Sequence, residues 1–314
     1  MDLYTDVDKF DTDDEEDDDF DSDEITLKRK GNTKELFKKG FMNKVSDHVS
    51  PKIRSKYEEL GPFRYLKADW KSLDLDKNDL EVRVPVERED GSIYLGQWRI
   101  GTEFREGRGV SILSDGALYE GFWKDGQQHG KGRIIYPSQD VYQGDFKFGF
   151  SDGFGVYVSE SGGKSKGYYK NGKMNGKGFE MWQDGSKYRG DFKNGLKEGN
   201  GKFTWNDGST YEGDMKDNEL SGSGHYKWAD GRIFEGEFKN SKMDGKGTFT
   251  WPDGRVYEGQ YVNDKKEGYG EYSWPDGRLY KGGWKNGKQH GKAEYTNQNG
   301  DTKKGEWMDG KKVN

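Results

Sequence analysis

The sequence predicts an all-β protein, an elongated single-layer antiparallel meander of about nine and a half hairpins of 23 residues each. Three observations predict it. A tyrosine, a glycine and a further aromatic residue at alternate positions recur every 23 residues through most of the 314-residue chain. Polar residues alternate with this set, as in strands that expose one face to solvent. Many of the 48 glycines fall at fixed places in the period, and an Asp-Gly pair, which is typical of tight turns, closes most copies.

Residues 1–24 are predicted to be a disordered acidic tail. They contain fourteen acidic residues against the single Lys9, a net charge of −13, whereas the rest of the chain carries +7. So dense a block of one sign repels itself and cannot bury enough apolar surface to fold. Two interpretations stay open: a tail that only increases solubility, or an electrostatic arm that meets a basic partner.

Residues 25–93 are predicted to be a basic docking segment followed by a connector. Lysine and arginine outnumber acids over 25–60, where a short amphipathic helix is expected. Such a helix either docks into a protein groove or lies on an anionic membrane, and its shortness favours docking. Within the connector, residues 81–87 alternate well enough to form a strand. The apolar side of the helix is the predicted partner-binding segment: Leu36, Phe37, Phe41 and Val45.

The repeat region is predicted to span residues 94–314. Its marker motif is Tyr-x-Gly-x-aromatic, as in the unit YEGQYVNDKKEGYGEYSWPDGRL at 257–279. A degenerate copy beginning at Ser165 fills the one gap in the series, and every interval is 23 residues except the first, which is 25. Chance does not keep such a register. The units start at residues 94, 119, 142, 165, 188, 211, 234, 257, 280 and 303.

Each unit is predicted to be a hairpin. In the unit that starts at Tyr211, alternating residues form a first strand, the polar sequence KDNELS forms a loop, and Gly222 opens a second strand. Asp230-Gly231 closes the turn into the next unit. Because the glycines share a face with the aromatic residues, we expect rings from neighbouring strands to lie flat across the glycine backbone. One face is then aromatic and the other polar and solvated.

This motif closely resembles the MORN (membrane occupation and recognition nexus) repeat, over residues 94–314. The resemblance implies an open, twisted sheet and, in the members without a catalytic domain, a structural role. The lipid-kinase domain that some MORN proteins carry has neither room nor motif in this sequence.

The sequence offers no candidate catalytic residue, metal ligand set or cofactor site. It has no cysteine, which excludes disulfides and thiolate chemistry. The Gly163-Lys164-Ser165 sequence lacks the upstream glycine of a phosphate-binding loop. A calcium-loop-like start at Asp74 has Pro85 where the final glutamate is required. The chain is therefore expected not to be an enzyme.

Two surfaces are expected to bind partners. A lysine-rich hairpin edge suits acidic partners such as tubulin tails or anionic headgroups, or it is simply a solvated edge that prevents aggregation. The aromatic face, where packing over glycines accounts for about half of the rings, should accept a helix or extended peptide from a partner, a second copy or residues 33–60. Its residues are Tyr188, Phe192, Phe203, Trp205, Tyr211, Tyr226, Trp228, Phe234, Phe238, Phe249 and Trp251.

The expected function is a non-catalytic scaffold that docks partner proteins in a large cytoskeletal assembly. The resemblance to cytoskeletal and ciliary MORN proteins points to the cytoplasm and the axoneme, at the doublet microtubules or a radial spoke, with self-association also open. The alternative is a peripheral tether on anionic phospholipid, which the acidic tail disfavours. Nucleic-acid binding is not expected, because the chain as a whole is acidic.

Overall fold

The computed structural model describes residues 48–313. The predicted acidic tail, and the predicted helix with Leu36, Phe37, Phe41 and Val45, lie outside the described residues. The chain divides into two compact units, unit 1 up to Phe150 and unit 2 from Ser151 onward. All described strand pairs in both units are antiparallel neighbours in sequence or close to it, so the predicted all-β meander of hairpins is confirmed.

Unit 1 begins with short helices and continues as a meander. The helices are α1 (Pro51–Leu60), α2 (Lys67–Lys71) and a 3-10 turn (Lys77–Asp79). The predicted strand at 81–87 is present as two short strands that both pair with β3. The strands are β1 (Leu80–Val82), β2 (Val86–Glu87), β3 (Ile93–Arg99), β4 (Arg105–Ile112), β5 (Leu118–Lys124), β6 (Gln127–Ile135) and β7 (Val141–Lys147).

Unit 2 is a meander in which strands of seven and nine residues alternate until the short last strand. Glycines pair with glycines across the sheet, so that Gly224 faces Gly213 on one side and Gly236 on the other. The strands are β8 (Phe150–Val158), β9 (Lys164–Lys170), β10 (Lys173–Met181), β11 (Lys187–Lys193), β12 (Leu196–Thr204), β13 (Thr210–Lys216), β14 (Glu219–Lys227), β15 (Ile233–Lys239), β16 (Lys242–Thr250), β17 (Val256–Val262), β18 (Lys265–Ser273), β19 (Leu279–Lys285), β20 (Lys288–Thr296), β21 (Thr302–Met308) and β22 (Lys311–Lys312).

The hairpins are tighter than the predicted six-residue loops. Between β13 and β14 only Asp217 and Asn218 form the turn, with φ angles of 50° and 70°. Short polar side chains tolerate this left-handed conformation, and two such residues in succession match the twist of paired strands. The extra residues join β14, where a bulge shifts the register. The predicted Asp230-Gly231 turn is present, with the Gly231 amide donating to the Trp228 carbonyl at 2.9 Å.

The predicted packing of rings over glycines is confirmed. The Tyr211 ring lies across Gly213 and Gly224, so that a Cβ atom added at Gly224 would lie 2.4–2.7 Å from three of its atoms. Its hydroxyl donates to the Asp214 carbonyl at 2.7 Å, which holds the ring flat. Glycine leaves the room that this approach needs, which explains why the units have glycine at both positions, with Ala293 in the unit that starts at Tyr280 as the exception.

The face opposite the aromatic rings, which we call the outward face, is covered in unit 1. Here α1 packs on aliphatic residues of the sheet, with Ile53 1% exposed. Residues 61–80 follow across the same face, where Trp70 and Leu73 pack on Phe122. The expectation of a solvated outward face is therefore wrong for unit 1. The aliphatic residues of the sheet beneath α1 are Ile93, Leu95, Val110, Ile112, Leu118, Ile135 and Val141.

This covering also shows where residues 48–60 belong. Residues 33–60 were one of the segments expected to bind the aromatic face, yet residues 48–60 lie on the opposite face. The reason is visible in the register: the outward positions of the first units hold isoleucine, leucine and valine, where later units hold charged residues. Burying these side chains on α1 is favourable by roughly 25 cal/mol per Å² of apolar surface. This aliphatic pattern in the sequence indicates that the outward face of the first units is covered.

Candidate docking surfaces

About half of the predicted aromatic face of unit 2 is core. The leading rings Tyr188, Tyr211 and Phe234 lie over paired glycines and meet aromatic rings of their own unit, of the following unit or of both edge to face. We call these rings the inner ring row. Because they have almost no accessible surface, they stabilise the sheet and cannot themselves contact a partner. From the predicted face the row contains Tyr188, Tyr211 and Phe234, each 0% exposed, with Phe192 (4%) and Phe238 (6%).

The remaining predicted rings form a second, continuous row. Neighbouring ring centroids lie 4.3–5.4 Å apart, and the first pairs are stacked nearly parallel. Since the rings stack on one another, mainly their edges meet solvent, and most members are half-buried. We call this the outer ring row: Trp182, Phe203, Trp205, Tyr226, Trp228, Phe249, Trp251, Tyr272 and Trp274.

Arginine residues of the turns border the outer ring row. The Arg255 guanidinium lies 5.5 Å from the Trp251 ring and donates to Asp253 at 2.7 Å. Arg278 repeats the arrangement, and its hydrogen bonds, together with one from Gln298, lower the pKa of Asp276 to about 2. Three turns thus carry a neutral ion pair: Asp230 with Arg232, Asp253 with Arg255, and Asp276 with Arg278.

Within residues 48–313, no segment covers the outward face of unit 2, in contrast to that of unit 1. An open trough of about 910 Å³ runs across its strands, with glycine backbone as floor and charged side chains as walls. Glu258 and Glu271 stand directly opposite each other on neighbouring strands, an arrangement of like charges that costs stability. The trough is acidic, so this face does not suit an anionic membrane. Its acidic residues are Glu212, Glu235, Glu237, Glu258 and Glu271.

One position on the aromatic face differs sharply between units. In the five consecutive units from 165 to 279 it is occupied by methionine or leucine three times and by lysine twice, at intervals of 23 residues, and the next two units have Gln289 and Lys312 there. The Lys197 ammonium has a carboxylate partner, Glu180, at 2.6 Å. The Lys266 ammonium lies 4.6–4.9 Å from the centroids of four rings and has no carboxylate partner among residues 48–313. We call this position the ring-bound slot: Met174, Lys197, Leu220, Met243 and Lys266.

Replacing Lys266 by methionine is expected to stabilise the protein by about 1 kcal/mol at pH 7, because a desolvated cation without a counterion is costly. Burial, with a smaller contribution from Arg255, lowers the Lys266 pKa to about 8. The folded state therefore binds fewer protons than the unfolded state between pH 8 and pH 10.5, and wild-type stability recovers as pH rises through this range. Urea unfolding of both proteins at pH 7 and pH 10 measures this. If the extra stability of the methionine variant over wild type is the same at pH 7 and pH 10, the prediction is wrong.

The described residues carry no further chemical centre. Among residues 48–313, no group of three or more histidine, aspartate or glutamate side chains could hold a metal ion. No helix in this range is long and apolar enough to cross a membrane.

Comparison with known proteins gives a family match and a distant structural likeness. The family model of the MORN repeat matches eight consecutive segments: 119–141, 142–164, 166–187, 188–210, 211–231, 234–254, 257–277 and 280–302. The unit at 94 lies outside these matches, although its Tyr94 ring also lies over paired glycines, Gly96 and Gly109. No curated protein sequence matches the chain.

Two solved structures resemble the chain weakly. The wild-type TCP10 domain of CPAP from Danio rerio is 13% identical, with 72% of this chain and 98% of that chain covered and a TM-score of 0.37. The TCP domain of SAS-4 from Drosophila melanogaster, in complex with a proline-rich motif of Ana2, is 14% identical, with 65% and 97% covered and a TM-score of 0.31.

Proposed function

The chain belongs to the MORN-repeat family, and from this premise we propose that it is a non-catalytic scaffold that docks partner proteins in a cytoskeletal assembly, the ciliary axoneme. The outer ring row carries the proposal. It presents the edges of seven half-buried rings along one side of unit 2, with Phe249 and Tyr272 buried between them. A row of this kind suits a helix or extended segment of a partner protein.

The proposed location in the axoneme is supported by the charge distribution of the chain and not by a structural contact. The −13 tail repels an anionic membrane, and the trough of unit 2 presents further glutamates. Residues 25–47 add a basic segment that suits acidic protein surfaces such as tubulin tails. The competing role, a tether on anionic phospholipid, requires that this basic segment overcome the repulsion of the tail beside it.

Fractionation of tagged full-length protein in ciliated cells tests the proposal. We expect the protein to stay with the detergent-resistant skeleton and to leave it in high salt, because exposed charge pairs are screened. A second form lacking residues 1–47 tests the terminal segment, and the cut spares Val49 and Ile53, which belong to the core of unit 1. Release by detergent alone would overturn the axonemal proposal in favour of a membrane role.

Variants of the outer ring row test the docking surface itself. Replacing Trp205 and Trp228 together by threonine is expected to weaken retention on the skeleton about thirtyfold or more, since buried aromatic anchors dominate protein interfaces. Glu235→Gln with Glu258→Gln changes the opposite face and is the matched control. Urea unfolding first establishes that the unfolding midpoints of both variants lie close to that of the wild-type protein. Equal loss in the two variants would remove the outer ring row as the docking surface.

A further inference from the structure

We propose that Lys266 is a site of lysine acylation, at which its ε-amine takes the acyl group of a small acyl thioester. The proposal concerns one side chain of the aromatic face and does not depend on the axonemal role. It starts from the ring-bound slot, where this lysine differs in its surroundings from every other occupant.

Several units fill the slot with an apolar side chain. Leu220 and Met243 fill it with apolar groups in the two units before that of Lys266. The four rings around the Lys266 ammonium are those of Trp251, Tyr257, Tyr272 and Trp284. They replace most of its water and supply cation–π attraction only, so the charged form of the amine is poorly stabilised.

Lys197 occupies the same slot, but a carboxylate stabilises its charge. Its ammonium approaches three rings and pairs with Glu180, which lies on β10, two strands earlier. For Lys266 the residue at the place of Glu180 is Phe249, 69 residues later, which is three repeats of 23. The counterion has therefore been exchanged for a ring, and the slot around Lys266 is apolar on that side.

The charged and titratable groups near Lys266 do not compensate for this loss. Arg255 is the nearby cation, and its own charge is paired with Asp253. The hydroxyl groups of Tyr257 and Tyr261 stay protonated at neutral pH, because burial raises the pKa of both. These surroundings shift the equilibrium toward the free amine, in agreement with the lowering of the Lys266 pKa to about 8.

A free amine is the nucleophile that acyl transfer needs. The nitrogen lone pair of Lys266 attacks the thioester carbonyl carbon, an N–C bond forms, the C–S bond breaks, and a thiol leaves with the proton that the nitrogen loses. The product is a neutral amide, which suits a slot that other units fill with leucine or methionine. Lys266 is only half-buried and borders the outer ring row, so a small thioester can approach it.

Site-resolved acylation of the full chain tests the proposal. The protein is treated with limiting S-acetyl-N-acetylcysteamine at pH 7.5, and acetylation of each lysine is followed with time by mass spectrometry. Lys266 is expected to react about tenfold faster than its exposed neighbour Lys265, since burial lowers the Lys266 pKa to about 8 and so leaves more of its amine unprotonated. Lys197 is the matched control in the same slot and should be slow.

A second variant separates the cause from mere accessibility. Glu180→Gln removes the counterion of Lys197 and is expected to raise its acetylation at least about fivefold, while Lys266 is unchanged. Rates at Lys266 no higher than at Lys265, or no gain at Lys197 in this variant, would overturn the proposal. The acetylation rates are measured on the protein alone. A negative result there would not contradict the scaffold function, and loss of retention on the skeleton would not contradict acylation of Lys266.

Discussion

Replacing Arg133 by methionine is expected to destabilise unit 1 by about 3–5 kcal/mol, because it strands a buried carboxylate. Arg133 and Glu120 are 3% and 5% exposed at their side chains, and the Arg133 Nε donates to Glu120 at 3.1 Å. Burial raises the Glu120 pKa, against the opposing effect of Arg133. Without the arginine, the carboxylate must either stay charged in an apolar site or take up a proton, and both options reduce stability.

The same pair ties the N-terminal segment to the sheet. Arg133 Nη2 donates to the Gly61 carbonyl at 2.5 Å, and the Phe63 amide donates to Glu120 at 3.3 Å. The variant is therefore also expected to expose residues 51–65. Hydrogen exchange of the amides in this segment should rise before the sheet unfolds, which gives a local measurement beside the free energy of unfolding from urea titration.

Two further variants test the origin of this effect. Glu120→Leu combined with Arg133→Met removes both charges and is expected to recover most of the loss, remaining within about 2 kcal/mol of wild type because two backbone groups lose partners. Arg232→Met breaks the exposed pair with Asp230 and should lower stability far less than Arg133→Met, because solvent screens exposed charges. If the exposed and buried single variants cost the same, Glu120 and Arg133 are not buried in solution.

Replacing Gly201 by valine is expected to cost about 3 kcal/mol and to disrupt the hairpin of Tyr188. A Cβ atom at Gly201 would lie 2.3–2.6 Å from three atoms of the Tyr188 ring, and that ring is 0% exposed with no room to move. Forcing extra carbon atoms into such packing displaces the ring and the paired strand. The urea midpoint of unfolding measures the loss.

The chain itself supplies the control for this substitution. In the unit that starts at Tyr280, the corresponding position holds Ala293, and the tyrosine ring is still 0% exposed. One added carbon is therefore tolerated there, and Ala293→Gly is expected to change stability by less than about 1 kcal/mol. Gly201→Ala should fall between the two. A valine variant as stable as wild type would show that the ring does not depend on the glycine gap.

Much of this structure could be predicted from local pattern. The 23-residue period, the Asp-Gly turns and the shared face of rings and glycines are properties of residues close in sequence, because a hairpin is a local structure with a side-chain period of two. They determined the antiparallel meander, the family and the flat packing of Tyr211 on Gly224 without any long-range information. The tight turn at Asp217 and Asn218 was missed because this unit lacks the Asn-Gly pair that marks the same turn at Asn171, Asn194 and Asn286.

Only the tertiary structure decided which surfaces are free. Residues 49–73 cover the outward face of unit 1, a contact between elements far apart in sequence whose direction no period specifies. The predicted aromatic face separated into a buried inner ring row and a half-buried outer ring row, since alternation assigns a face but not a depth of burial. The environment of Lys266 was decided in the same way. Its sequence neighbours resemble those of other units. Only the tertiary structure shows that four rings and no carboxylate surround its ammonium group, so that the charge costs stability.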